Sequence, residues 1–207
     1  VGSEMCIRDR GFFADPVSDP MLATGEGRLT ETLLHELVHS TVFLEGRPAF
    51  NEGAANFVGQ EASILFFSND PEKSARRRQE VQDARALSQF LLSFRADVQG
   101  AYDESDSLSV AQSRRSQLES DARARLKSLP LATYDPERLA EGMDLNDACL
   151  ALRGTYSGDL PRFEQALTRF DGNLPALIGH LKAAAQAPRP EDAVFGPASD
   201  GDDGVFP

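Results

Sequence analysis

Apolar positions recur along this chain at helical spacing, in runs separated by short turns. Leu29, Leu33, Leu34, Leu37 and Val38 fall three and four apart and predict a helix from about Arg28 to Leu44, ended by Gly46 and Pro48. A second helix is predicted from Asn51, a good cap residue, to about Asn69. Ala54, Ala55, Phe57, Val58, Ile64 and Leu65 make it apolar around much of its girth, the mark of a buried helix. Asp70-Pro71-Glu72 restarts the pattern with a cap, a proline in the first turn and an acid near the positive end of the helix dipole. Val81, Ala84, Leu87, Leu91, Phe94 and Val98 carry that third helix to about Gly100. After a polar turn, Leu118, Ala122, Leu126 and Leu129 line a fourth. The third and fourth helices read as a long antiparallel hairpin with charged, solvated outer faces.

Three shorter helices follow. Leu145, Ala148, Cys149, Leu152 and Tyr156 share one face. Gly158-Asp159-Leu160-Pro161 and Gly172-Asn173-Leu174-Pro175 then repeat a cap-and-proline start fourteen residues apart. Two copies fall short of a solenoid. Pro, Gly, Asp and Ser dominate after Gln186, so 187–207 is expected to be a disordered tail. Upstream, 11–15 reads as the end of a short strand. The expected fold is mainly α: a two-helix core, a long helical hairpin and a small C-terminal helical cluster.

Composition narrows the function. The chain has 207 residues, 41% of them hydrophobic, enough to build a core. A formal charge of −12 argues against nucleic acid, which demands concentrated Lys and Arg. The one basic cluster, Arg76-Arg77-Arg78, has Glu72, Glu80 and Asp83 nearby and reads as a solvated helix face. No stretch approaches the roughly 20 apolar residues of a transmembrane helix. The first ten residues, VGSEMCIRDR, resemble the translation of a sequencing-library adapter and are set aside as an expected artefact. On that reading the domain runs from 11 to 186 and lacks its true N-terminal part, with any signal segment. With Cys6 set aside, Cys149 remains, at an apolar helical position that reads as core.

The chemistry concentrates between Leu33 and Phe57. His35 and His39 lie four apart and project from one helix face, a spacing that lets two imidazoles reach one zinc ion at about 2.0–2.1 Å each. Glu36 is rotated off that stripe by one position. It can stand beside a metal-bound water without ligating the ion and take the water's proton. The plain alternative is a partly buried helix with two hydrogen-bonded histidines.

A catalytic zinc takes three protein ligands and keeps one position open. Glu52 is the expected third ligand, because a tight helix-to-helix connection brings the first turn of the second helix toward the histidine face, where the helix N-terminus also favours a carboxylate. Gly53, Ala54 and Ala55 are small enough to permit that approach. Asn56, one turn on, is placed to orient a ligating imidazole or Glu52. Glu61 is a rival ligand, but it lies about 13 Å further along the helix than Glu52, so the two cannot share an ion. Glu45, at the end of the first helix, is a weaker rival.

The two segments together resemble the gluzincin metallopeptidases, in which the third zinc ligand is a glutamate on the helix after the HExxH helix. Twelve residues separate His39 from Glu52, fewer than in aminopeptidase-N-like enzymes. The nearer resemblance is to a bacterial family of predicted aminopeptidases. It is carried by His35-Glu36-Leu37-Val38-His39-Ser40-Thr41 and by Phe50-Asn51-Glu52-Gly53-Ala54-Ala55-Asn56-Phe57-Val58-Gly59. Leu145-Asn146-Asp147-Ala148 and Tyr156 are similar to that family's C-terminal helices. The resemblance implies a zinc-dependent peptidase acting on peptide substrates, with His35, His39 and Glu52 on the metal and Glu36 as the base. It also implies an exported protein, periplasmic or lipoprotein-like.

Tyr156 is a candidate oxyanion donor, as a tyrosine or histidine from a downstream helix is in related peptidases; its plain reading is a core tyrosine. His180 reads as a surface or interface histidine. A reading of another class stands beside the enzyme: a metal-binding or helical interaction protein without turnover, with the hairpin as its working surface.

Overall fold

A computed structural model describes residues 22–151 and 159–196. Tyr156 and Leu152, the strand expected at 11–15 and the set-aside residues 1–10 lie outside them. The described residues are mainly α-helical and contain no strand. The helices are α1 (Glu26–His39), α2 (Pro48–Phe66), α3 (Pro71–Asp103), α4 (Leu108–Lys127), α5 (Pro136–Gly142), α6 (Leu160–Thr168), α7 (Leu174–Ala184) and α8 (Pro190–Phe195). A further helical stretch covers 147–151.

The helices form around two apolar cores. In the first, α2 is the central element. Phe50, Phe57 and Val58 pack with Phe163 of α6 and with Leu177 and Leu181 of α7. Phe163 is the hub, with its ring 5.4 Å from Phe50, 5.9 Å from Phe57 and 4.9 Å from Phe195. Each such fully buried ring or leucine contributes about 1.5–3 kcal/mol. The second core fills the α3–α4 hairpin with Leu87, Phe90, Leu91, Phe94, Val98, Ala122 and Leu126, closed by Ala140 and Leu145. Two of the expected caps start their elements, Asp70 accepting from the Lys73 amide and Asn173 from Ala176, whereas Asp159 stands before α6 without a side-chain cap bond. Ser107 caps α4, accepting from the Val110 amide. Asn146 likewise accepts from the Cys149 amide at 2.9 Å.

Several sequence expectations need correction. The first helix stops at His39 rather than near Leu44, because Ser40 and Thr41 both turn their hydroxyls onto the Leu37 carbonyl at 2.8 Å, satisfying a terminal acceptor that a further turn would otherwise use. Pro48 starts the second helix instead of ending the first. Asn51 is therefore inside α2 and does not cap it.

The chain past Gln186 also stays with the fold as far as α8. Val194 is fully buried and Phe195 packs on the first core, so two apolar side chains hold a segment whose composition reads as tail. The Arg76-Arg77-Arg78 run is not a uniformly solvated face either. Arg77 is only 2% exposed. The apolar stripe of α1 divides: Val38 is buried, while Leu33 and Leu37 are 43% and 60% exposed. At about 100° per residue Leu33 and Leu37 fall nearly opposite His35, and it is the His35 side that meets α2.

Candidate metal centre

α1 and α2 pack antiparallel. His39 and His35 of α1 both face Glu52 of α2, and Glu31, one turn back from His35, faces Gly59, two turns on from Glu52. The connection between the helices is short and pinned. Asn51 is buried and bonds both backbone groups of Leu44, accepting from its amide and donating to its carbonyl, each at 2.8 Å. Leu44 itself is 3% exposed, so this paired exchange anchors the loop to the first core. Gly46 takes φ +71° in that loop, a conformation glycine adopts without strain.

That arrangement brings three side chains to one point. His35 Nε2 and His39 Nε2 are 3.2 Å apart. Glu52 Oε2 lies 3.5 Å from His35 Nε2, and Glu52 Oε1 lies 3.4 Å from His39 Nε2. The imidazoles sit nearly perpendicular, at 79°, with centroids 4.9 Å apart. His35 is buried, while His39 and Glu52 are half-buried. A tetrahedral ion with bonds of 2.0–2.2 Å has ligand-to-ligand edges of about 3.3–3.6 Å. The two imidazole nitrogens stand at about that separation, and each carboxylate oxygen of Glu52 stands at it from one of them. Two imidazole nitrogens and a carboxylate are also a donor set that suits zinc, so the residues present fit the ion. Among the described residues, His35, His39 and Glu52 are the grouping of histidines and acids with this property.

Glu52 occupies the second turn of α2, because the helix begins at Pro48. The helix dipole acts mainly within the first turn and supports this carboxylate less than a cap at Asn51 would imply. What holds Glu52 here is the packing around it: Gly53 is buried against Phe163 and Asp159, and Ala54 and Ala55 are buried in the first core. A Cβ on Gly53 would meet the Phe163 ring at 3.1 Å.

Glu36 is exposed, on the side of α1 next to His39 and roughly 60° round the helix from it. Asn56 is half-buried one turn beyond Glu52. The rival ligands are elsewhere. Glu61 takes the Arg85 guanidinium at 2.7 Å, and Glu45 is exposed in the connecting loop rather than at a helix end. His180 is half-buried, its Nε2 3.0 Å from the Ala193 carbonyl and its ring against Phe170, so it ties α7 to α8.

A family model described as putative aminopeptidase matches residues 10–194. The chain belongs to this putative aminopeptidase family. The match spans both core helices, the hairpin and the C-terminal cluster, and it reaches into α8, in keeping with the packing of Val194. No curated protein and no solved structure matches the chain. Membership in an aminopeptidase family points to peptidase activity on peptide substrates. No helix among the described residues is long and apolar enough to cross a membrane.

Sequence reasoning missed the packing partners of this centre. Glu31 is buried, 7% exposed, and forms an ion pair with Arg77, which also donates to Ser63 Oγ at 2.8 Å and to Glu80 at 2.9 Å. The available signal was an acid four residues before His35, on the same helix face. Nothing in the sequence pairs it with an arginine 46 positions away.

Proposed function

We propose that this chain is a zinc-dependent peptidase, with His35, His39 and Glu52 holding the metal and Glu36 serving as the general base. The observation that carries the reading is the convergence of two imidazole nitrogens and a carboxylate, whose two oxygens each stand 3.4–3.5 Å from one imidazole while the imidazole nitrogens are 3.2 Å apart. Family membership supports the reaction class. Zinc bound there supplies Lewis-acid polarisation of a carbonyl and lowers the pKa of a water.

The chain's own residues do the rest. Glu36 accepts the proton of the attacking water and passes it to the leaving amine. Its exposed position leaves it open to both. His35, fixed in the helix interface, and His39, nearer the surface, set the direction from which substrate approaches. Asn56 orients the ligand set, and Tyr156 supplies an oxyanion donor.

The test is hydrolysis by the full chain, with and without zinc. Aminoacyl-anilides report release of an N-terminal residue, and peptides blocked at the amine report internal cleavage. Glu36→Gln is expected to keep one zinc per chain and to lose about 10²–10⁴-fold in rate. Zinc bound at full stoichiometry with no cleavage of either substrate class would instead favour a metal-binding protein without turnover. Absence of zinc binding would remove the reading altogether.

A further inference from the structure

We infer that Gly59 is a positioning residue for the metal centre: it sets the α1–α2 separation at His35, and the buried Arg77–Glu31 pair holds the helices at that separation. This inference rests on the zinc reading above.

The geometry is specific to this one glycine. A Cβ built on Gly59 would lie 3.1 Å from the Glu31 carbonyl oxygen, 3.1 Å from the His35 amide nitrogen and 3.2 Å from the His35 Cα. All three are backbone atoms of α1, so no side chain can swing aside to make room. Two of them belong to a proposed ligand. Gly59 lies seven residues after Glu52, two turns on and on the same face of α2. The glycine that fixes the helix spacing and the carboxylate that faces the imidazoles are therefore rigidly linked through α2.

Ser63 continues that face by one more turn. It is fully buried and accepts from Arg77 of α3, which pairs in turn with Glu31 of α1. One guanidinium thus ties α1 and α2 together just beyond the glycine contact. The helices cannot open by pivoting there without breaking a buried ion pair.

The magnitudes decide the consequence. Relieving contacts of 3.1–3.2 Å requires α1 to retreat by a few tenths of an ångström. Zinc sites hold their ligand distances within about 0.2 Å. A methyl group at position 59 is therefore small enough for the fold to absorb and large enough to displace His35 from the ion. Gly100 provides the matched control, since it too is helical and a Cβ there meets nothing within 4 Å.

The experiment compares wild type, Gly59→Ala and Gly100→Ala by zinc titration and by the visible spectrum of the cobalt-substituted chains. Helicity and melting temperature are measured without metal. Gly59→Ala is expected to keep its helicity, to bind zinc at least tenfold more weakly and to shift the cobalt bands, with Gly100→Ala unchanged in both. A Gly59→Ala chain that melts lower yet binds zinc with wild-type affinity and an unchanged cobalt spectrum would overturn the inference and leave the metal site standing. If Gly59→Ala unfolds without metal, the cobalt spectrum of the metal-refolded chain gives the comparison: wild-type bands overturn the inference, shifted bands support it. A wild-type chain that takes up no zinc overturns the metal reading, and this inference with it.

Discussion

Arg77 of α3 and Glu31 of α1 form an ion pair in the interior of the protein, with side chains only 3% and 9% exposed. Arg77 also reaches Ser63 of α2 and Glu80 of its own helix, so one guanidinium joins three helices directly behind the metal centre.

Removing one partner of a buried pair leaves the other charge unpaired. Arg77→Ala is expected to cost about 3–5 kcal/mol. The double variant Arg77→Met with Glu31→Gln removes both charges at similar volume and is expected to recover most of that loss. Urea denaturation of wild type and of both variants checks this. A double variant as unstable as the single one would show that shape, not charge, governs the position.

Asn51 makes a different kind of join. Its amide bonds both polar groups of the Leu44 backbone, and all of these atoms are buried. Asn51→Ala leaves a donor and an acceptor without partners and is expected to cost about 1–3 kcal/mol. Asn51→Asp keeps the acceptor but turns an oxygen toward the Leu44 carbonyl, so it should be no better than alanine above pH 5. Hydrogen exchange of the Leu44 amide, measured in both variants, would show the loop opening before the helices do.

Asp83 provides a pH-dependent contribution. Burial raises its pKa. Hydrogen bonds from the Thr133 hydroxyl and from the amides of Thr133, Ala132 and Tyr134 outweigh that and hold the carboxyl below the ordinary value of 3.8. The sign follows from linkage. The unfolded chain takes up the proton first as pH falls, so the stabilisation is complete above the unfolded value and is lost as pH drops through the folded one. Asp83→Asn is therefore expected to differ from wild type at pH 6 and to converge on it toward pH 3. A difference in urea midpoint that stays constant over this range would show that Asp83 acts without its charge.

The parts of this protein legible in the sequence are those set by local periodicity and local chemistry. The apolar spacing of Leu87, Leu91, Phe94 and Val98 gave the hairpin, and the four-residue step from His35 to His39 gave a shared face. Glu52 was legible because a short connection leaves a following helix few ways to pack. What stayed hidden depends on partners distant in sequence. Arg77 looked like surface because its neighbours Arg76 and Arg78 are surface, and Glu31 lies 46 positions away. Val194 looked like tail because two apolar residues among Pro, Asp and Gly carry no period. The end of α1 was misread because Ser40 and Thr41 cap it through side-chain bonds to Leu37, a competition that hydrophobic spacing does not register.

Glu52 is where stability and metal binding are expected to part. Its carboxylate is held against two imidazoles at the edge of the first core, with Oε2 shielded from solvent. Burying a charge costs free energy that a neutral amide of the same shape largely avoids. Glu52→Gln should therefore leave the metal-free protein at least as stable as wild type. The same change takes the negative charge from the ligand set and should abolish the rise in melting temperature that zinc produces. At a free zinc concentration a hundredfold above the dissociation constant, that rise corresponds to about 2.7 kcal/mol. Melting curves of both proteins, with zinc and with chelator, separate the two effects. A metal-free Glu52→Gln chain that melts well below wild type would mean that the carboxylate is a structural partner of the histidines, and the three side chains would then converge for packing rather than for a metal.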